Sequence, residues 1–135
     1  MTKEELILMP DDDYMNDEQL NFFTHILTVQ KEELLKAIEN ARLELTESDI
    51  SADPNDVASS QEIQQLKLTT ANRHNKVLQD INKALLRINN GEYGYCEISG
   101  EPIGIERLLA KPTATLSIYE KEAKEHRERT QGKYR

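Results

Sequence analysis

The sequence predicts a mainly α protein: a long antiparallel coiled-coil hairpin, then a small globular unit and a C-terminal helix. Only five Gly and four Pro occur among 135 residues, so most of the chain has few helix breakers. Two long runs place apolar residues at alternating steps of three and four, the period of a coiled-coil seam. The turn-rich segment SDISADPNDVASSQ joins these runs, so we expect them to fold back on each other.

The first arm is predicted to begin at Met15-Asn16. Asn16 suits an N-cap, Gln19 falls where a capping box needs it, and Met15 can pack on Leu20. The predicted seam then follows at Leu20, Phe23, Leu27, Gln30, Leu34, Ala37, Ala41 and Glu44.

The second arm is predicted to end at Asn89-Asn90-Gly91, a helix-stopping sequence. Arms of about 33 residues would each reach roughly 50 Å, so we expect the tip to act as a probe. The predicted division is an N-terminal segment at 1–15, a hairpin at 16–90 with its tip near 50–58, and the rest at 91–135. The predicted seam of this arm is Ile63, Leu66, Thr70, Val77, Ile81, Leu85 and Ile88.

The tip sequence DPND has two interpretations. Asp53 suits an N-cap, Pro54 the first helical position and Asp56 the third, and a helix N-terminus attracts such anions. In the first interpretation, capping of the helix N-terminus alone explains the presence of both aspartates. The alternative is that the hairpin presents them to a partner, which the small Ala58 would allow to approach closely.

Charge and cysteine content limit the function. The net charge is −8, with 16 acidic against 4 basic residues up to position 62 and 9 against 13 afterwards. Such a chain is poorly suited to grip nucleic acid phosphates and better suited to a basic protein surface. One cysteine excludes an internal disulfide, no apolar run approaches about 18 residues, and the N-terminus is acidic, unlike a secretory signal. We expect a cytoplasmic protein.

The stretch GEYGYCEISGEPIG is typical of half a metal knuckle. A complete knuckle would place a second thiolate three positions after Cys96, where this chain has Ser99.

Four stretches together resemble the DksA/TraR family of bacterial RNA polymerase factors. They are EEL with DDDYMNDEQLNFF, the tip DPNDVAS, the segment GEYGYCEISGEPIGIERLLAKPTATLSIYEK and the closing charged helix. The resemblance implies a coiled coil that enters the polymerase secondary channel, a small zinc-finger-like unit and a C-terminal helix. It also implies a monomer without catalysis, membrane association or sequence-specific DNA binding.

The resemblance assigns roles by position. Asp53, Asp56 and Ala58 match the acidic tip that works beside the polymerase active centre, and Arg73 matches a contact at the channel rim. The alarmone ppGpp is a co-regulator in the family, and Lys111 and Lys121 match basic positions of its site. Asp80 replaces a usual lysine, and its charge would repel a polyphosphate.

Zinc is not expected in this chain. The four zinc positions of the family correspond to Cys96, Ser99, Ser117 and Glu120, and hydroxyls are poor zinc ligands. The resemblance is therefore to the cysteine-poor, zinc-independent branch. Ser117 and Glu120 form a capping-box sequence instead. Packing is expected from Tyr93, Tyr95, Ile98, Ile103, Ile105, Leu108, Leu109, Leu116, Ile118 and Tyr119.

Two alternatives remain open at this point. Acidic residues on a hairpin tip could hold Mg²⁺ in the polymerase active site and stimulate transcript cleavage. The seams could also pair between chains, which would make the protein a coiled-coil adapter or dimer.

Overall fold

The computed structural model describes residues 1–47 and 54–132. Its helices are α1 (Lys3–Leu8), α2 (Asp17–Glu47), α3 (Pro54–Asn89), α4 (Ile105–Ala110) and α5 (Ile118–Gly132), with a 3-10 turn at Asp11–Asp13. Within these ranges no β-strand forms, and Tyr95 and Pro102 make one isolated antiparallel bridge. No helix in the described part of the chain is long and apolar enough to cross a membrane.

The predicted start of α2 is confirmed, with a one-residue shift in its cap. The side-chain oxygen of Asn16 accepts a hydrogen bond from the Gln19 backbone N–H at 3.0 Å. The Gln19 side-chain oxygen accepts from the N–H of Met15 at 2.8 Å, one residue before the N-cap. Gln19 is only 1% exposed, and its amide nitrogen also donates to the sulfur of Met9 at 3.6 Å. This cap therefore also ties the N-terminal segment to α2.

The predicted stop of α3 is also confirmed. Gly91 has a φ of +76°, which glycine adopts without steric cost. Its N–H donates to the carbonyl of Ile88 at 3.2 Å, and the N–H of Glu92 donates to that of Arg87 at 2.9 Å. These two bonds form a Schellman motif, which satisfies the last carbonyls and turns the chain out of the helix.

Two short helices were missed by the sequence analysis. In α1, the hydroxyl of Thr2 accepts from the N–H of Glu5, and the Glu5 carboxylate accepts from the N–H of Thr2, both at 3.2 Å. This is the capping box that T-x-x-E encodes. Helix α4 follows Gly104 in the small globular unit, for which the sequence analysis named no helix before the C-terminal one. The two helices contact each other.

The chain forms two compact units. The first combines residues 1–27 and 83–135, and the second comprises residues 28–82. Their boundaries fall inside α2 and α3, whereas the sequence division falls at helix ends. The division at 15/16 and 90/91 stays a prediction.

The core of the first unit is built around aromatic side chains. The rings of Phe23 and Tyr93 lie 5.6 Å apart, and those of Tyr14 and Tyr95 meet edge-on at the same distance. The buried apolar residues of this unit are Leu6, Phe23, Leu27, Ala84, Tyr93, Cys96, Ile103, Leu108 and Ala114.

The predicted packing set of the C-terminal segment is only partly right. Tyr93, Ile103 and Leu108 are buried, but Ile98, Ile118 and Tyr119 are 58%, 62% and 76% exposed. The remaining four predicted residues are partly buried: Tyr95, Ile105, Leu109 and Leu116.

The seam predicted for α3 is wrong at three positions. Ile63, Leu66 and Val77 are 52%, 67% and 41% exposed. Four predicted positions are partly or fully covered: Thr70, Ile81, Leu85 and Ile88. Four positions that were not predicted are partly covered as well: Lys67, Ala71, His74 and Leu78. Both sets satisfy steps of three and four, so the spacing alone does not decide which face is covered.

Candidate functional site

The acidic tip is described only in part. Asp53 lies outside the described residues. Helix α3 begins at Pro54, the predicted first helical position, and Asp56 and Ala58 lie in its first two turns. The backbone N–H groups of this first turn have no partner inside the helix, so the site of Asp56 favours a negative charge.

Two further predicted residues lie on α3 within the second unit. Arg73 is exposed, as a contact residue must be. Asp80 forms an ion pair with Lys76, with 3.4 Å between the ammonium nitrogen and a carboxylate oxygen. This lysine, one turn earlier on the same helix, partly offsets the charge of Asp80.

The two lysines predicted for ppGpp lie in the first unit. Lys111 is exposed and ends α4, where its N–H donates to the carbonyl of Arg107. Lys121 lies in the first turn of α5 and pairs with Glu125 at 3.8 Å. Both lysines are therefore exposed, and the ammonium group of Lys121 already has a carboxylate beside it.

The turn of the predicted metal knuckle is formed. In this segment (residues 95–102, called the knuckle below), the Cys96 N–H donates to the carbonyl of Glu101 at 2.8 Å. The N–H of Gly100 donates back to the carbonyl of Cys96 at 2.9 Å, and Gly100 has a φ of +75°. Backbone bonds thus fix the loop shape that normally wraps a metal.

The four zinc positions do not fit zinc. Cys96 is the one thiol among them. Two of the other three positions are serines, and their hydroxyl oxygens accept hydrogen bonds from backbone N–H groups. The Ser99 oxygen accepts from the N–H of Glu101, and the Ser117 oxygen accepts from the N–H of Glu120, both at 3.3 Å. The second bond confirms Ser117 as a cap of α5. Among the described residues no group of three or more His, Cys, Asp or Glu side chains could hold a metal ion.

The Cys96 thiol lies in an unusual environment. The side chain is 4% exposed, and burial alone would raise its pKa. Hydrogen bonds from the Ser99 hydroxyl and from the backbone N–H groups of Ser99, Ser117 and Ile98 outweigh burial and lower the pKa to about 6. Donors of the kind that surround a metal-bound thiolate therefore stabilise a free thiolate here.

We expect Cys96 to make the free energy of unfolding depend on pH. Its pKa is lower in the folded chain than its ordinary value of 9.0, so the thiolate stabilises the fold fully above pH 9. That contribution falls as pH decreases and is lost below about pH 6. Urea unfolding from pH 5 to 9 should therefore show a rise in stability that Cys96→Ser lacks. Thiolate absorbance at 240 nm should titrate near pH 6, and an ordinary midpoint would contradict the prediction.

Arg87, which the sequence analysis did not single out, holds the knuckle from the end of α3. Its side chain is only 11% exposed. One guanidinium nitrogen donates to the carbonyls of Glu92 at 3.0 Å and Tyr95 at 2.6 Å. The other nitrogen lies 3.6 Å from the carboxylate of Glu97, which Lys83 also binds at 2.7 Å. Lys83 first, and Arg87 with it, lower the pKa of Glu97, so this carboxylate stays ionised.

Tyr14 links the N-terminal segment to the knuckle region through its hydroxyl group. Its hydroxyl donates to the carbonyl of Gly94 at 2.5 Å and accepts from the N–H of Gly104 at 2.9 Å. Burial raises the pKa of Tyr14, which keeps the phenol protonated and able to donate. Glycine is favoured at position 94, because the backbone there has a φ of +90° and a Cβ would lie 2.7 Å from the side chain of Met15. In the same unit, Tyr93 donates to the carbonyl of Pro112 at 2.7 Å.

Because the contacts of Arg87, Tyr14 and Tyr93 involve no metal, we expect the first unit to keep its fold in a zinc chelator. A structural zinc site contributes about 10–16 kcal/mol in small zinc domains, so stripping the metal unfolds them. Here the cross-links are hydrogen bonds and ion pairs, which a chelator leaves intact. Thermal melting followed by near-ultraviolet circular dichroism should be unchanged in excess TPEN, and a chelator-induced loss of signal would contradict this.

Two family profiles match the chain in tandem. Residues 19–88 match "DnaK suppressor protein DksA, N-terminal domain", and residues 91–126 match "Prokaryotic dksA/traR C4-type zinc finger". The chain belongs to the DksA/TraR family. The second profile is named for four cysteines, of which this chain has one, so it is a cysteine-poor member.

Proteins similar to this chain include characterised DksA factors. The chain is 44% identical to the RNA polymerase-binding transcription factor DksA of Caulobacter vibrioides over 120 residues, which cover 88% of this chain and 84% of that protein. It is 35% identical to the DksA of Escherichia coli K12, over 89% of this chain and 80% of that protein.

A solved structure confirms the predicted fold class. Transcription factor DksA2 from Pseudomonas aeruginosa matches with a TM-score of 0.87 and 43% identity, over 95% of this chain and 99% of that one. A mainly helical protein with a coiled-coil hairpin and a small C-terminal unit is therefore the correct fold class.

Proposed function

We propose that this chain binds bacterial RNA polymerase and regulates transcription initiation through the secondary channel. The observation that carries this proposal is the 44% identity, over most of both chains, with an RNA polymerase-binding transcription factor. The tandem match to both family profiles supports it, because the helical arms and the knuckle unit occur together and in order.

In this proposal the hairpin delivers Asp53 and Asp56 to the polymerase active centre. The two carboxylates then act by charge and hydrogen bonding on the bridge helix and the trigger loop. Ala58 allows these elements to approach closely, and the exposed Arg73 contacts the channel rim. The chain regulates by binding and performs no chemical step of its own.

We further propose that ppGpp modulates this regulation without being required for it. Lys111 and Lys121 offer two cationic groups for an anionic ligand. Asp80 instead places a carboxylate where a lysine is usual, and a like charge weakens phosphate binding. The ion pair with Lys76 offsets only part of this charge.

Transcription with purified polymerase on a ribosomal RNA promoter tests the proposal. Adding the protein should change initiation in a saturable way, with or without ppGpp, and excess TPEN should not alter the effect. An absence of any effect at saturating protein would overturn the proposal.

A backtracked elongation complex separates regulation from the transcript-cleavage alternative. Full-length RNA should persist when the protein is added. Shortened RNA would instead assign the tip carboxylates to a Mg²⁺-assisted hydrolysis.

A further inference from the structure

An open groove runs beside α1 in the first unit, and none of the four zinc positions is among its lining residues. Its volume is about 630 Å³, within the range of binding sites in proteins. Its walls come from the end of α1 and the 3-10 turn, from the start of α2, and from the segment at 102–106, which leads into α4. We call it the N-terminal groove.

The floor of the N-terminal groove is held in place by hydrogen bonds. Tyr14 lines it and bridges Gly94 and Gly104, as described above. Gln19 also lines it, and its amide binds the sulfur of Met9. A preformed floor favours binding, because little conformational entropy remains to be lost when a partner docks.

The α1 side of the groove exposes apolar surface. Ile7 lines the groove and is 51% exposed, and the adjacent Leu8 is 83% exposed. On the other side the groove is lined by Pro102, Ile103 and Ile105. Adjacent apolar side chains with a polar rim mark docking surfaces on proteins.

The rim of the groove carries negative charge. The charged residues among those that line it are Asp11 and Glu106, both acids. Asp12 and Asp13 follow directly in the same 3-10 turn. This rim repels phosphates and favours a partner that carries lysine or arginine.

We infer that the N-terminal groove docks a protein segment of RNA polymerase in which an apolar side chain adjoins a lysine or arginine. The apolar side chain enters between Ile7 and the segment at 102–106, and the cation meets Asp11 and Glu106. This inference rests on the proposed function, because it takes the polymerase as the partner. It adds a contact on the first unit that is separate from the acidic tip.

Equilibrium binding to core polymerase tests the inference. The double variant Asp11→Lys with Glu106→Lys should weaken binding by about tenfold or more, since two favourable rim pairs become repulsive. Its binding should also depend less steeply on salt.

Ile7→Ser, at a half-exposed position, should weaken binding without adding charge. A photo-crosslinker at position 7 should capture a polymerase segment of the stated composition.

The control is Glu122→Lys with Glu128→Lys. These exposed acids on α5 lie outside the groove lining and change the net charge by the same amount. Equal affinity of the groove variant and the wild type, or an equal loss in the control, overturns the inference. So does a wild-type dimer that the groove variant dissociates, because the occupant is then a second copy.

Different experimental results would refute the groove inference and the proposed function. If the groove alone is wrong, the wild type still binds polymerase and the groove variant binds as tightly. If the groove is right, the variant should regulate fully once its concentration saturates the polymerase. A wild type that does not bind polymerase refutes the proposed function itself.

Discussion

Asp56→Asn is expected to abolish regulation of a ribosomal RNA promoter while the protein still binds polymerase. The substitution removes one negative charge and keeps the size of the side chain. In the first turn of α3 a carboxylate stabilises the helix by only about 0.3–1 kcal/mol, so the fold should remain intact. In the proposed mechanism, by contrast, this charge acts directly on the mobile elements of the polymerase.

The matched control for Asp56→Asn is Glu62→Gln. It removes the same charge from an exposed position further along α3. Promoter assays at saturating protein should show full regulation for Glu62→Gln and none for Asp56→Asn, with equal affinities for core polymerase. Full regulation by Asp56→Asn would leave Asp56 with no role beyond the helix terminus.

Helix ends that depend on local chemistry were predictable from the sequence. The cap at Asn16 and the stop at Gly91 use residues within five positions of each other, and both formed as predicted. Helix α1 has an equally local signal in T-x-x-E, but it is only six residues long and shows no long apolar period. Such a short helix depends on packing against α4, which lies about 100 positions later in the chain.

The covered face of α3 was harder to predict. Apolar residues lie on more than one face of this helix, so the spacing fits two registers. The structure covers His74 and Leu78, and leaves Leu66 and Val77 exposed. The choice depends on which face the partner segment covers, and that information is not local.

The contacts that hold the knuckle join distant parts of the chain. Tyr14 binds groups 80 and 90 positions away. No spacing rule connects such residues, so the sequence predicted the missing zinc ligands, the Ser117 cap and part of the packing, but not the contacts of Tyr14. The missing ligands themselves could be identified because their spacing is local.

Among the residues that bind the knuckle, Arg87 is expected to show the largest loss of stability when it is replaced, as in Arg87→Met. The variant keeps an unbranched apolar chain but loses the charge-assisted bonds to the carbonyls of Glu92 and Tyr95. Hydrogen bonds with a charged donor contribute about 1.5–3 kcal/mol each, so we expect the loss of two of them to cost roughly 3–6 kcal/mol. Proteins are stable by only about 5–15 kcal/mol, so this loss should remove a large fraction of the stability of the first unit.

Arg42→Met provides the same chemical change at a surface ion pair. Arg42 binds Glu39 at 2.7 Å, but its side chain is 68% exposed, and solvent screening leaves such a surface pair with little effect on stability. Urea unfolding followed by the near-ultraviolet dichroism of tyrosine reports on the first unit, where Tyr14, Tyr93 and Tyr95 lie. If Arg87→Met is no less stable than Arg42→Met, the guanidinium is not what replaces the metal. A loss confined to Arg87→Met would show that one arginine at the end of a helix replaces much of the stabilisation that four metal-bound thiolates give in a C4-type zinc finger.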